Sequence, residues 1–277
     1  MRGRHLRRWL MFARVAPLPT EAGPFATALR RFRAARRMSQ LDLALGCDVS
    51  ARHLSFLESG RAQPSRDMVL RLAAGLLAPL GARNALLQAA GFAPMFPASP
   101  LTSEALAPLR AILTEMMARH APNPALLLNR HWTVLDANPA ARALLAPLDD
   151  GKGEMNVVRM LTESSRAAVA IGNLAEVLEE MSARLRLEAL EAGDDRVLAG
   201  LVASLDAARA RYPAALATTP RRPLIPLVLN TPGQSLRFLS TIVHFGTSED
   251  VTVRDLRLEL LFPADDHTRA ALAQSGV

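Results

Sequence analysis

Among the residues able to do chemistry, arginine dominates this chain and is unevenly placed. Residues 1–100 carry fifteen arginines, no lysine and five acids, a balance of +10. Residues 101–277 carry 18 basic against 21 acidic groups, a balance of −3. A basic segment beside a mildly acidic one points to a polyanion as the partner of the first and to something else for the second. Lys152 is the only lysine, so part of this arginine richness is compositional bias. The six histidines, His5, His53, His120, His131, His244 and His267, show neither metal-ligand spacing nor a serine or cysteine partner. No glycine-rich phosphate loop appears, so no catalytic residue, no metal and no enzymatic activity are expected. The single cysteine, Cys47, excludes an internal disulfide and leans towards a reducing cytoplasm. It reads as a small buried apolar residue, since a thiol switch would lack a resolving partner.

The elements that must position the arginines are short helices. At 277 residues, half of them hydrophobic, the chain is long enough for two domains with separate cores. From Pro24 to Gly91, apolar residues recur at three- and four-residue spacing, which predicts five helices. Pro24 opens the first, with Phe25, Leu29 and Phe32 on one face. Ser39 with Asp42 forms a capping box for the second, Ser50 and Ser65 cap the third and fourth, and Gly91 ends the fifth. Residues 93–103, with Pro94, Pro97 and Pro100, read as a linker. The lead, residues 1–23, is basic and expected to be disordered, because Arg14 breaks its short apolar run before it could form a signal peptide or membrane span.

Beyond the linker the pattern mixes helices and strands. An amphipathic helix uses Leu106, Leu109, Leu113 and Met116, and a tight hairpin at Arg130-His131 joins two short apolar runs. Asn138-Pro139 opens a further helix, and residues 156–212 are helical with a break near residues 193–195. Three strands are predicted at Leu224–Asn230, Ser235–Phe245 and Val251–Phe262. In the last, Leu256, Leu258, Leu260 and Phe262 alternate with Arg257 and Glu259, as in a half-buried strand. The expected fold class is α+β with two domains: an all-α five-helix unit at residues 24–92, a mixed unit at residues 104–270, and a tail at residues 271–277.

The stretch from Gln40 to Glu58 resembles the helix-turn-helix of phage repressors and the bacterial regulators related to them. Ala44 supplies the small residue where two helices cross, and Asp48 stands at the turn position that needs positive φ. Leu43, Cys47, Val49, Leu54 and Leu57 fall on the inward face. The resemblance implies that Ala51, Arg52 and Phe56 face bases, with Gln40 near the backbone and first base. Arg52 could bind guanine in bidentate fashion or hold phosphate, and Phe56 could meet a thymine methyl or fold back as core. His53, Ser55 and Arg61 are phosphate candidates, and Arg33 is expected to pair with Glu58. An all-α protein-interaction module is the alternative.

The resemblance widens through the runs His53–Arg61, Pro64–Arg66, Asn84–Phe92, Pro124–Asn138 and Phe245–Val251, which together look like the MmyB-like subfamily of Xre-type regulators. That family implies a DNA-binding domain joined to a PAS-like sensory domain whose core can hold a fatty acid or a similar lipid. The positions nominated for such a pocket are Leu127, Trp132, Asn138, Arg159, Met160, Asn173, Phe238 and Phe245, with Arg159 able to hold a carboxylate. No cofactor other than such a lipid is expected. The implied partners are double-stranded DNA, a small apolar ligand and a second copy of the chain in a homodimer, with no membrane. A sensory domain serving only dimerisation or protein interaction, or binding another cofactor, is the alternative.

Overall fold

The computed structural model describes residues 23–149, 151, 153–193, 195–214, 224–246 and 248–274. The basic lead thus lies outside the described residues but for Gly23, as do the last three residues of the tail.

The first unit is five helices: α1 (Pro24–Ala35), α2 (Gln40–Gly46), α3 (Ala51–Glu58), α4 (Arg66–Gly75) and α5 (Leu80–Ala89). Their starts are set by local chemistry. The Ser39 hydroxyl accepts from the Asp42 amide while the Asp42 carboxylate accepts from the Ser39 amide. Ser50 and Ser65 accept from the amides of His53 and Met68. Each such cap satisfies a donor the helix cannot, at about 1 kcal/mol apiece. Asp48 takes φ 53 between α2 and α3, the left-handed turn expected of it. Leucine makes up half of the buried core: Leu29, Leu43, Leu54, Leu57, Leu72 and Leu86 are fully buried, each contributing roughly 1.5–3 kcal/mol over the exposed state. Cys47 is buried with them, and burial pushes its thiol up from its ordinary value, which keeps it protonated and inert.

The second unit contains α6 (Ala107–Arg119), β1 (Ala125–Leu128), β2 (Val134–Ala137), α7 (Pro139–Leu145), α8 (Val157–Glu163) and α9 (Ala167–Ala170). The long helices α10 (Leu174–Ala192) and α11 (Arg196–Arg211) follow, then β3 (Leu227–Thr231), β4 (Gln234–His244), α12 (Val251–Asp255), β5 (Arg257–Pro263) and α13 (Asp266–Gln274). Among the described residues the strands form one antiparallel sheet in the order β2-β1-β5-β4-β3. Helix α6 covers one face through Leu113 and Met117, against Leu127 and Leu258. A larger core built from α7, α8, α10 and α11 covers the other, against Leu126, Leu128, Leu229 and Leu261.

Three expectations need correction. Residues 251–255 are not the start of a strand but helix α12, because the Asp250 carboxylate accepts from the amides of Thr252 and Val253 and so caps a turn. The charged side of β5 does not face water. Leu256 and Leu258 pack under α6, which turns Arg257 and Glu259 towards the larger core. Helix α13 continues to Gln274 with Leu272 buried, so the second unit passes the expected limit at residue 270.

The linker is fastened rather than loose. Asn84 of α5 accepts from the amides of Met95 and Phe96 and donates to the Phe96 carbonyl. Farther on, the Pro97 carbonyl accepts from the Val251 amide and Asp250 accepts from the Ser99 amide. A second bridge runs from the end of α10 to α1. Arg36 donates to the Glu191 carbonyl at 2.8 Å, and Gly193, at φ 77, lies so close to Phe32 that a Cβ there would stand 2.1 Å from the ring. A third joins Arg130 and His131 to Asp195 at 2.7 and 2.9 Å, with Arg130 also beside Gly81 of α5. These contacts hold the Asp195 carboxyl at about 2: burial alone would raise it, but the bond from His131, the α11 amides and the Arg130 charge outweigh burial.

Candidate functional site

Helix α3 stands in the first unit with one face buried and the other open. Ala51 and Arg52 at its front end are exposed, and His53, Ser55 and Phe56 are half-buried. The Arg52 guanidinium lies 5.4 Å over the Phe56 ring one turn later, which stiffens a long side chain while leaving its donors outward. Phe56 is therefore neither folded into the core nor wholly free. Arg61 is exposed in the turn after the helix. Gln40 does not project outward: its amide donates to Glu58 Oε2 at 2.7 Å, which commits it to the scaffold in this arrangement.

Glu58 is the anchor of that scaffold. It is 2 % exposed and receives Arg33 in bidentate fashion, Nε to Oε1 at 2.6 Å and Nη2 to Oε2 at 2.8 Å. Arg33 also donates to the Met38 carbonyl, which ties α1 to the loop before α2. Burial would push the Glu58 carboxyl up, yet the bonds from Arg33 and Gln40 and the Arg33 charge bring it below its ordinary value.

The second unit holds a partly open cavity of about 270 Å³ between the sheet and helices α7, α8 and α10. This lies near the lower end of ligand pockets, which run from about 300 to 1,000 Å³, so a slender occupant suits it. Met160, Leu161, Ile171, Met181, Leu229 and Leu261 represent a lining that is mainly aliphatic. Four polar groups interrupt it: Glu180 and Arg184 one turn apart on α10, Ser240 on β4 and Glu259 on β5. Ser240 Oγ donates to Glu259 Oε1 at 2.6 Å.

Of the eight positions nominated for this pocket, only Met160 lines it. Leu127 and Phe245 pack on the α6 side of the sheet. Phe238 is wholly buried in the larger core. Asn138 caps α7, accepts from the Ala125 amide and donates to the Met117 and Asn123 carbonyls, so all its capacity is structural. Asn173 ties α10 to β3 through the Pro226 carbonyl and the Val228 amide. Arg159 is exposed on α8, away from the lining, because Asn156 starts that helix with Val158 and Met160 inward.

Trp132 sits next to the cavity rather than in it. Its indole donates to Glu188 at 3.0 Å, and Arg184 and Arg257 stand 5.7 and 5.1 Å from its ring centre. Arg184 therefore touches both the cavity and the tryptophan. Sequence reasoning misses Glu259 because alternation in β5 reads as a charged face turned to water, and it misses Glu180, Arg184 and Ser240 because no local signal places them beside it. The one usable signal is the period itself, which puts Glu259 opposite the leucine face without saying which face is covered.

Among the described residues no cluster of His, Cys, Asp and Glu could hold a metal ion, and no helix is long and apolar enough to cross a membrane. A helix-turn-helix family model matches residues 29–79, the α1–α4 region with α3 at its centre. A comparison with curated proteins returns no match. The family model described as the MmyB-like transcription regulator ligand binding domain matches residues 109–274, more than half the chain and the whole of the cavity. The chain is thus a DNA-binding transcription regulator with a ligand-binding domain, and it belongs to the MmyB-like transcription regulator family.

Proposed function

We propose that α3 reads operator DNA through Arg52 and Phe56, that Arg61, His53 and Ser55 hold phosphates, and that the cavity binds a lipid-like molecule such as a fatty acid. The observation that carries the DNA part is the exposed front of α3, with Arg52 braced on Phe56 above a buried Glu58–Arg33 anchor. A homodimer on paired half-sites gives such a short reading head useful affinity. Salt titration of the full chain on its operator is expected to give a steep loss of binding, as counterions are released from phosphate. Arg52→Ala should cost about 1–3 kcal/mol at one base position of each half-site. Arg61→Ala should weaken all sequences alike and lower the salt slope by about one. No DNA affinity at low salt would reject this reading.

The aliphatic cavity beside an antiparallel sheet supports a PAS-like sensory role for the second unit. Each methylene buried there contributes about 0.8 kcal/mol, so a slender alkyl chain binds usefully even with a modest polar anchor. Helix α10 offers the route to DNA. It lends Val177, Met181 and Arg184 to the lining, and its far end meets Phe32 and Arg36 of α1, the helix whose Arg33 grips Glu58 of α3. A ligand regulates only if it prefers one arrangement of this contact, since equal affinity for both would shift nothing. Mass spectrometry of an organic extract of the purified protein is expected to find a co-purifying lipid, and DNA affinity should differ between the delipidated and reloaded forms. Finding neither a co-purifying lipid nor saturable uptake of any alkyl compound would reject the lipid reading.

A further inference from the structure

We propose that Trp132 passes occupancy of the cavity to the DNA-binding domain: it feels the cavity through Arg184 and, through its own backbone, sets the clasp that Arg130 and His131 make at the domain junction. This rests on the reading of the cavity as the ligand site and adds the residue through which that site acts.

Trp132 is held in a conformation that its own chemistry disfavours. It sits at φ 64, in the left-handed region where a bulky residue is an outlier, and its side chain is completely buried. Such a backbone persists only where the surroundings over-determine it. The Asn129 carbonyl accepts from the Trp132 amide, and the Asn129 side chain accepts from the amides of His131 and Thr133, which closes the turn between β1 and β2. The ring is gripped from three sides. Glu188 takes its N–H at 3.0 Å, and the guanidinium groups of Arg257 and Arg184 lie 5.1 and 5.7 Å from its centre.

These clamps differ in firmness. Arg257 is buried and bound to both oxygens of Glu188 at 2.8 Å, so it is fixed together with the indole. Arg184 is the looser one: its side chain is 35 % exposed and its acid partner Glu180 stands 3.8 Å away, beyond hydrogen-bond distance. It is also the clamp that lines the cavity. A molecule entering there displaces or draws on Arg184, and either changes the grip on the ring whatever the headgroup.

The output is one peptide away. Arg130 and His131 immediately precede Trp132, and both bind Asp195 Oδ2, at 2.7 and 2.9 Å, while Asp195 caps α11 through the amides of Val197 and Leu198. Arg130 also stands beside Gly81 of α5, where a Cβ would come within 3.4 Å of its guanidinium. A left-handed residue that relaxes turns the peptide before it, and with it the two side chains on Asp195. Through Glu188 the same indole is fastened to α10, the helix that ends against Phe32 of α1. Coupling needs an element with two arrangements that both sites bias, and a strained turn clamped from the cavity side supplies one.

The test uses the delipidated full-length protein, titrated with octanoate, decanoate and dodecanoate. The chain has two tryptophans, so Trp9→Phe leaves Trp132 as the sole indole emitter. Its emission is expected to change saturably, with the midpoint of calorimetric uptake, because a guanidinium moving over the ring alters the field there. In Trp132→Phe, uptake of acid and DNA affinity of the empty form should stay near wild type. The change in DNA affinity on loading, ordinarily about 5–150-fold for coupled sites, should fall below about twofold. Should this variant not fold, Asp195→Asn in the Trp9→Phe chain keeps a capping side chain on α11 and removes the clasp, so the emission change should survive while the DNA response falls. Uptake with unchanged Trp132 emission, or a DNA response that persists in either variant, overturns the coupling role and leaves the cavity as a ligand site. No uptake of any of the three acids removes the lipid reading of the cavity, and no response of wild-type DNA affinity to them removes its regulatory role; either takes this inference with it.

Discussion

Arg33→Ala is expected to cost about 3–5 kcal/mol, the scale for leaving one member of a buried ion pair without its partner. The direction of the truncation decides the size. Removing Arg33 leaves Glu58, 2 % exposed, with Gln40 as its remaining side-chain donor. Removing Glu58 instead leaves Arg33, whose side chain is 18 % exposed and keeps the Met38 carbonyl, so Glu58→Ala should cost clearly less. Denaturation followed by hydrogen exchange at α3 would measure both, and a loss below about 1 kcal/mol for Arg33→Ala would show that the pair does not anchor the helix. The pH dependence has a fixed sign. Glu58 is lowered in the folded state, so its contribution is present above the unfolded carboxyl value of about 4.3 and fades as pH falls through the folded one. Wild type and Arg33→Ala should therefore draw together in stability as pH falls below the ordinary carboxyl value of about 4.3, and meet only below the lowered folded value.

Gly193→Ala is expected to have the second large effect, and at a distance from both sites. At φ 77 and ψ −97 a side chain is strained by about 1–3 kcal/mol, whatever the space available. The added Cβ would also stand 2.1 Å from the Phe32 ring, which is itself 4 % exposed and has nowhere to retreat within the first core. Relief requires α10 and α1 to part, with the Arg36–Glu191 bond lost. Hydrogen exchange should rise at the ends of both helices, and ligand occupancy should no longer alter DNA affinity, while each domain keeps its own binding. Unchanged exchange at those ends, together with intact coupling, would remove this contact from the regulatory route.

The helix-turn-helix is legible almost to the residue because its signals are local. Ser39 and Asp42 lie three residues apart and make the same box in any surroundings, and Asp48 enters positive φ for reasons internal to itself. The second unit is legible only in outline. Val251-Thr-Val reads as strand by its β-branched residues, yet Asp250 turns it into α12, and the Pro97 carbonyl and Ser99 amide hold that turn from the distant linker. Seven of the eight pocket nominations lie off the cavity for a related reason. Leu127, Phe238 and Met160 are all inward residues, and periodicity separates inward from outward but not one core from another.

By itself the sequence determined the five-helix domain with its caps, the linker, and the mixed character of the second unit, while the Arg33–Glu58 pair was implied by the resemblance to phage repressors. Only the tertiary structure decided that the charged side of β5 is covered, so that Arg257 is buried and Glu259 half-buried in the wall of the cavity. It alone placed Glu180 and Arg184 beside them, and brought Gly193 against Phe32 from the far end of α10. Caps and helical periods arise from interactions within a few residues and are written locally. A cavity is the space that packing leaves unfilled, and it exists only once every distant element has been set in place.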